Sequence, residues 1–93
     1  MLKELHTHYK GREIVVSNHW FKGLRLMIDG ELAAEDTRWV HVDRDVPFVT
    51  HDLTTADGVE TLRIFVDADW SIKLAITVDD VLIATTHPES VSA

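Results

Sequence analysis

The chain has 93 residues, no cysteine and a formal net charge of −7, with 45% apolar and 27% charged residues. This length predicts one globular domain, and the missing cysteine excludes disulfides, thiolate catalysis and cysteine-based zinc sites. Because neither a basic stripe nor an apolar run of membrane-spanning length occurs, we expect no nucleic-acid partner and no membrane span. The lack of disulfides and of a signal-peptide pattern predicts a cytoplasmic location.

Apolar and polar residues alternate along the chain, which predicts half-buried β-strands rather than helices. The alternation is clearest in the segments REIVVSN, GLRLMIDG, TLRIFVDA and SIKLAITVDD, in that order. Asp29-Gly30 is a strong signal for a two-residue hairpin turn, and Asp79-Asp80 occupies the matching place later in the chain. Residues 32–38 are expected to form a short helical turn.

The second half of the chain repeats the first at a shift of 50 residues. Residues 13–36 align with 63–86 without a gap, and 7 of the 24 aligned pairs are identical. Each repeat predicts four strands with one apolar face, and two such units can cover each other. The sequence therefore predicts an all-β fold, an antiparallel β-sandwich of about eight strands built from two tandem four-strand repeats. The single domain is expected over 1–87, with repeat one at about 2–37, repeat two at about 47–86 and a flexible tail at 88–93.

The first repeat carries the pattern W-x-x-G-x-x-L-x-I-D-G from Trp20 to Gly30, and its near-copy in the second repeat ends in IKLAITVDD. In these motifs the chain resembles the β-sandwich repeat of the Fas apoptotic inhibitory molecule family, and it is similar to small uncharacterised bacterial proteins with this core. The resemblance covers residues 11–36 best and 58–86 less well. It implies a compact, non-enzymatic β-sandwich, and it transfers neither anti-apoptotic function nor binding residues.

Large aromatic residues mark the predicted loops and one outer strand face. Trp20 and Trp70 fall at equivalent corners, where they either cap the open ends of the core or bind a ligand. Phe65 points away from the predicted core, and with Val15 and Met27 it is expected to form an apolar patch for a protein partner or for self-association. The candidate residues for ligand or partner binding are Trp20, Phe21, Trp39, Trp70 and Phe65.

Histidine is frequent, with six in the 93 residues. His6 and His8 share a strand face with Glu4, since side chains two residues apart on a strand point the same way. With His51 on a neighbouring strand they form a candidate zinc or copper site of nitrogen and oxygen ligands. The alternative is a solvated outer strand face without a metal.

Candidate catalytic groups lack the context that a reaction needs. His41 and Asp43 are two residues apart, but no G-x-S-x-G nucleophile motif accompanies them. Asp67 and Asp69 fall at a predicted turn, where aspartate accepts backbone hydrogen bonds. We therefore expect no enzyme activity, no cofactor, and a small interaction or structural module. The alternatives are a module that binds carbohydrate or another small ligand through exposed aromatic residues, and a histidine-based metal-binding protein.

Overall fold

The computed structural model describes residues 2–19, 23–36, 49–68 and 72–86. These residues form eight β-strands and the turns between them, which confirms the predicted all-β class. Within these ranges there is no helix with the length and apolar character needed to span a membrane. The strands are β1 (Leu2–Tyr9), β2 (Arg12–His19), β3 (Gly23–Ile28), β4 (Glu31–Asp36), β5 (Val49–Thr55), β6 (Gly58–Ala68), β7 (Ile72–Val78) and β8 (Val81–Thr85).

Each sheet consists of four consecutive strands, so the two halves of the chain do not exchange strands. The first sheet has the order β1-β2-β3-β4 and the second β5-β6-β7-β8, with antiparallel pairing throughout. The sheets stack as a sandwich in which β1 lies nearest to β8, and β4 nearest to β5. The predicted antiparallel sandwich of two four-strand units is therefore confirmed, and β1, β4, β5 and β8 are its edge strands.

The core lies between the two sheets and follows the alternation in the sequence. Every second side chain points inward because the side-chain period of a strand is two residues. Burying one such aliphatic side chain contributes about 1.5–3 kcal/mol to stability. In the described ranges, all buried apolar residues except Leu53 belong to the four central strands β2, β3, β6 and β7. They are Ile14, Val16, Leu24, Leu26, Ile28, Leu53, Leu62, Ile64, Val66, Leu74, Ile76 and Val78.

The two equivalent hairpins turn through two residues with positive φ. Asp29 and Gly30 have φ values of 54° and 83°, and Asp79 and Asp80 have values of 48° and 67°. A two-residue type I′ turn requires this left-handed conformation, which aspartate adopts at a higher cost than glycine. Both predicted turns are confirmed, including the one built from two aspartates.

The first aspartate of each turn also fastens the turn to a neighbouring strand. Asp29 Oδ1 accepts a hydrogen bond from the Glu13 backbone N–H at 2.9 Å, and Asp79 Oδ1 accepts one from the Thr61 N–H at 2.8 Å. The backbone N–H groups of both aspartates donate in return to the Glu13 and Thr61 carbonyls. The bonds from Glu13 and Arg12 hold the pKa of Asp29 below its ordinary value. This shared arrangement makes Glu13 and Thr61 equivalent positions of the two repeats.

The strand register shows that no single shift relates the two repeats. Val78 corresponds to Ile28 at a shift of 50, but Ile28 pairs with Ile14 whereas Val78 pairs with Leu62, a shift of 48 from Ile14. The gapless alignment, which matched Ile14 with Ile64, is therefore wrong by two residues over β2 and β6. A slip of two residues leaves every side chain on the same face of the sheet, so the apolar pattern does not reveal it.

The helical turn expected at residues 32–38 is wrong over the described residues, because the segment is strand β4. Pairing with β3 outweighs the weak helical preference of this short segment. A register shift in the β3–β4 ladder marks a β-bulge, and both Ala33 and Ala34 pack against the core. The β7–β8 ladder has a register shift at the equivalent place, so the bulge belongs to the repeated unit.

Candidate functional site

Polar side chains join the β1–β2 turn of the first sheet to the β5–β6 turn of the second. Glu60 is at their centre, on the core-facing side of β6, and is only 9% exposed. Its carboxylate accepts hydrogen bonds from Tyr9 Oη at 2.7 Å, Thr55 Oγ1 at 2.7 Å and Lys10 Nζ at 3.1 Å. Lys10 also forms an ion pair with Asp57 at 2.8 Å. These five residues form what we term the inter-sheet cluster.

The groups of the inter-sheet cluster stabilise one another's charge states. Hydrogen bonds from Thr55 and Tyr9 lower the pKa of Glu60, and the bond to Glu60 raises the pKa of Tyr9. The hydrogen bond from Lys10 to Asp57, and to a smaller extent the one to Glu60, raises the pKa of Lys10 above its ordinary value. Near neutral pH Glu60 is therefore ionised and Lys10 protonated, and neither is poised to transfer a proton. Because Tyr9 belongs to the first sheet and Glu60 to the second, the cluster fastens the two sheets together.

Arg12 makes a second connection between the sheets. Its Nε donates to Asp29 Oδ2 at 2.5 Å in the first sheet, and its Nη1 donates to the backbone carbonyl of Thr54 in the second. Several polar contacts thus hold the β1–β2 and β5–β6 hairpins together at one end of the sandwich.

The three histidines proposed as metal ligands do not come together. His6 and His8 are exposed on the outer face of β1, whereas His51 lies on the core-facing side of β5 in the other sheet. The expectation that His51 occupies a strand next to β1 is wrong, because each sheet is built from one half of the chain. His6 contacts Glu4 at 3.6 Å and His8 contacts Glu13 at 3.9 Å. Among the described residues, no group of three or more histidines and carboxylates is arranged to hold a metal ion.

Most aromatic candidates, namely Trp20, Phe21, Trp39 and Trp70, lie outside the described residues. Phe65 is described, and it is half-buried on the outer face of β6 beside Ala75. Val15 and Met27 pair with each other on the outer face of the first sheet. The single apolar patch expected from Phe65, Val15 and Met27 is therefore wrong, because the outer faces of two stacked sheets point in opposite directions.

Strand β8 combines two features that the sequence-based predictions missed. It is an edge strand of the second sheet, with β7 as its strand neighbour within the described part of the chain, and it contains no charged residue. Val81 is 64% exposed and Leu82 is 44% exposed. The other edge strands, β1, β4 and β5, all carry charged residues, which is how edges are usually protected from pairing with another strand. The signal in the sequence is the uncharged run VLIATT after Asp80.

Asn18 is a buried polar residue whose side chain has no hydrogen-bond partner among the described residues. It lies on the core-facing side of β2, is paired with Leu24, and is 1% exposed. Neither its Oδ1 nor its Nδ2 has a hydrogen-bond partner in the described structure. The equivalent residue of the second repeat, at the shift of 48 that relates β2 to β6, is Val66. An unpaired buried amide lowers stability, so Asn18 is a weak point of the core.

Comparison with known proteins gives no match to this chain. No protein-family model, no curated protein and no solved structure matches the chain. The resemblance to the Fas apoptotic inhibitory molecule family stays a prediction, and function is inferred from the residues themselves.

Proposed function

We propose that this protein is a small non-enzymatic interaction module that binds an extended protein segment along β8. The observation that supports this is the uncharged sheet edge at β8 with its exposed apolar side chains. An unpaired edge presents a row of backbone N–H and C=O groups, and another strand satisfies them by adding to the sheet. The resemblance to the Fas apoptotic inhibitory molecule family implies the same class, a β-sandwich without enzymatic chemistry.

The internal repeat allows two equivalent edges to be compared. Leu32 on β4 and Leu82 on β8 take the same position after their tight turns, and they are 54% and 44% exposed. Their strands differ in charge, since β8 has no ionisable residue whereas β4 carries Glu31, Glu35 and Asp36. An added strand would have to desolvate these carboxylates at β4, and it meets no such penalty at β8.

Strand addition at β8 has definite consequences for the side chains. Leu82 pairs with Thr77 on the outer face, and Ile83 packs against the core. A bound strand would extend the second sheet from four strands to five and cover Val81 and Leu82. Its main-chain hydrogen bonds supply affinity, and its alternate side chains supply selectivity. A contact along one short strand falls below about 1,200 Å², the range of weak and transient interfaces.

A synthetic peptide that copies residues 79–86, DDVLIATT, tests this proposal. Its two aspartates favour solubility. Fluorescence anisotropy of the labelled peptide should show saturable binding to the protein. The same peptide with Ile83→Pro should not bind, since proline lacks the backbone donor that a strand needs. In the protein, Leu82→Lys should weaken binding by about tenfold or more, and the matched variant Leu32→Lys should leave it unchanged.

Two results would contradict strand addition at β8. One is the absence of peptide binding at protein concentrations up to about 1 mM, which corresponds to only about 4 kcal/mol of binding free energy. The other is equal weakening by Leu82→Lys and Leu32→Lys. Circular dichroism of both variants verifies that the sandwich is still folded.

A further inference from the structure

Two exposed turns contain an Asp-Gly pair, a sequence in which the main chain can react with the aspartate side chain. Asp29-Gly30 joins β3 to β4, and Asp57-Gly58 lies where β5 turns into β6. Glycine has no side chain to hinder its nitrogen. A Cβ atom added at Gly30 or Gly58 would meet no other atom within 4 Å. Both turns therefore leave room for a new bond between the glycine nitrogen and the preceding carboxyl group.

The reaction of an Asp-Gly pair uses only groups of the chain and water. The glycine nitrogen attacks the side-chain carbon Cγ, and a five-membered succinimide ring forms with loss of one water molecule. A water molecule then opens this ring. Cleavage of the bond from nitrogen to Cγ restores aspartate, whereas cleavage of the bond from nitrogen to the main-chain carbonyl carbon leaves isoaspartate. In isoaspartate the main chain runs through Cγ, and no oxidant or reductant is needed.

At the first pair, both oxygens of the aspartate are held. Asp29 Oδ1 accepts a hydrogen bond from the Glu13 backbone N–H at 2.9 Å, and Oδ2 accepts one from Arg12 Nε at 2.5 Å. The Asp29 backbone N–H also donates to the Glu13 carbonyl at 2.9 Å. The side chain would have to leave both donors before Cγ could reach the nitrogen of Gly30. Because hydrogen bonds to ionised groups are stronger than neutral ones, this arrangement protects Asp29 from ring closure.

At the second pair, the aspartate is held less firmly. The Asp57 side chain is 68% exposed, and its Oδ2 forms an ion pair with Lys10 Nζ at 2.8 Å. Such exposed ion pairs contribute little free energy. Lys10 also donates to Glu60, so it keeps a partner when Asp57 turns away. The Asp57 backbone N–H donates to Thr55 Oγ1 at 3.1 Å, but this bond does not involve the carboxyl group.

We propose that Asp57-Gly58 is a modification site at which isoaspartate forms spontaneously, while Asp29-Gly30 is protected. The rates at the two sites should differ by about tenfold or more, since Asp29 must give up an additional hydrogen bond to its charged group. Isoaspartate adds one carbon atom to the main chain and moves the free carboxylate, so the ion pair with Lys10 is lost. The modification therefore weakens the inter-sheet cluster as the protein ages. This inference does not depend on strand addition at β8.

Peptide mapping of the full chain after prolonged incubation at mildly acidic pH measures both sites in one sample. Trypsin separates them into the peptides 26–38 and 45–63, and mass spectrometry with isoaspartyl methyltransferase labelling detects isoaspartate. Isoaspartate should accumulate at Asp57 about tenfold or more faster than at Asp29. Lys10→Met should accelerate it further, because the ion pair is removed. Asp57→Glu should abolish it, because glutamate would have to form a larger ring.

Each outcome decides a separate point. Absence of isoaspartate at Asp57 overturns the site, and equal rates at Asp29 and Asp57 overturn the physical reason; neither result needs a variant. The aged wild type should unfold at a lower urea concentration than fresh protein, whereas Asp57→Glu, incubated alongside, should keep its midpoint. An unchanged midpoint despite isoaspartate at Asp57 overturns the effect on the inter-sheet cluster. Circular dichroism before incubation verifies that both variants are folded.

Discussion

Replacing Asn18 with valine is expected to stabilise the protein. Both amide atoms of Asn18 are buried without a partner in the described structure, and the equivalent residue of the second repeat is Val66. An unpaired amide in a protein interior costs about 1–3 kcal/mol, and the higher strand preference of valine acts in the same direction. We therefore expect the free energy of unfolding to rise by about 1–3 kcal/mol. For a chain of this size, each kcal/mol raises the melting temperature by about 4–8 °C.

Urea unfolding followed by circular dichroism measures the effect of Asn18→Val. The midpoint should move to higher urea concentration with an unchanged slope, because stability changes and the surface exposed on unfolding does not. The matched control is Val66→Asn, which buries a new unpaired amide at the equivalent position and should destabilise the protein. If Asn18→Val instead lowers the free energy of unfolding, the amide is hydrogen-bonded in the folded protein, and the reasoning is refuted.

Four further variants test the turns, the core and the inter-sheet cluster. Asp80→Gly should raise the free energy of unfolding, measured in urea titrations, by about 0.5–1 kcal/mol because φ is positive at residue 80. Gly30→Asp should lower it, because φ is also positive at residue 30. Equal stability of the wild type and these two variants would contradict this reasoning. Leu74→Ala should cost about 2–5 kcal/mol by the same assay, and a loss below about 1 kcal/mol would mean that the site collapses around the smaller side chain. Because the folded pKa of Glu60 is lowered, its contribution to stability is complete above the ordinary value of 4.5 and is lost as the pH falls through the folded value. Below pH 4.5, the urea midpoint of Glu60→Gln should therefore decrease less with falling pH than that of the wild type. An identical pH profile of the two proteins would show that ionised Glu60 does not stabilise the fold.

Local sequence is enough to predict the hairpins and most strands of this protein, but not β4, which was expected to form a helical turn. Residues such as Leu24, Leu26 and Ile28 share one face of any strand, whatever lies beside it, and Asp29-Gly30 favours a tight turn through its own backbone preferences. The internal repeat extends the prediction to the sandwich, since two sheets with one apolar face each can bury those faces against each other.

The sequence predicted the type of candidate site, an exposed apolar surface, but not its location. An exposed apolar surface was expected, but around Phe65, Val15 and Met27, which the strand order places on opposite outer faces. The uncharged edge strand β8, which we propose as the binding edge, was missed because a short uncharged run such as VLIATT is equally typical of an interior strand. Whether its side chains are exposed depends on which strand lies beside it, and neighbouring residues in the sequence do not determine that.

By itself, the sequence determined most strand segments, the tight turns and the all-β class, because these follow from preferences that act within a few residues. Only the tertiary structure decided that Ile14 corresponds to Leu62, that His6 and His51 lie in different sheets, and that β8 is an uncharged edge. The physical reason is that an alternating pattern is unchanged by a slip of two residues and does not specify its neighbour. Register and strand order are set by backbone pairing and core packing between distant segments.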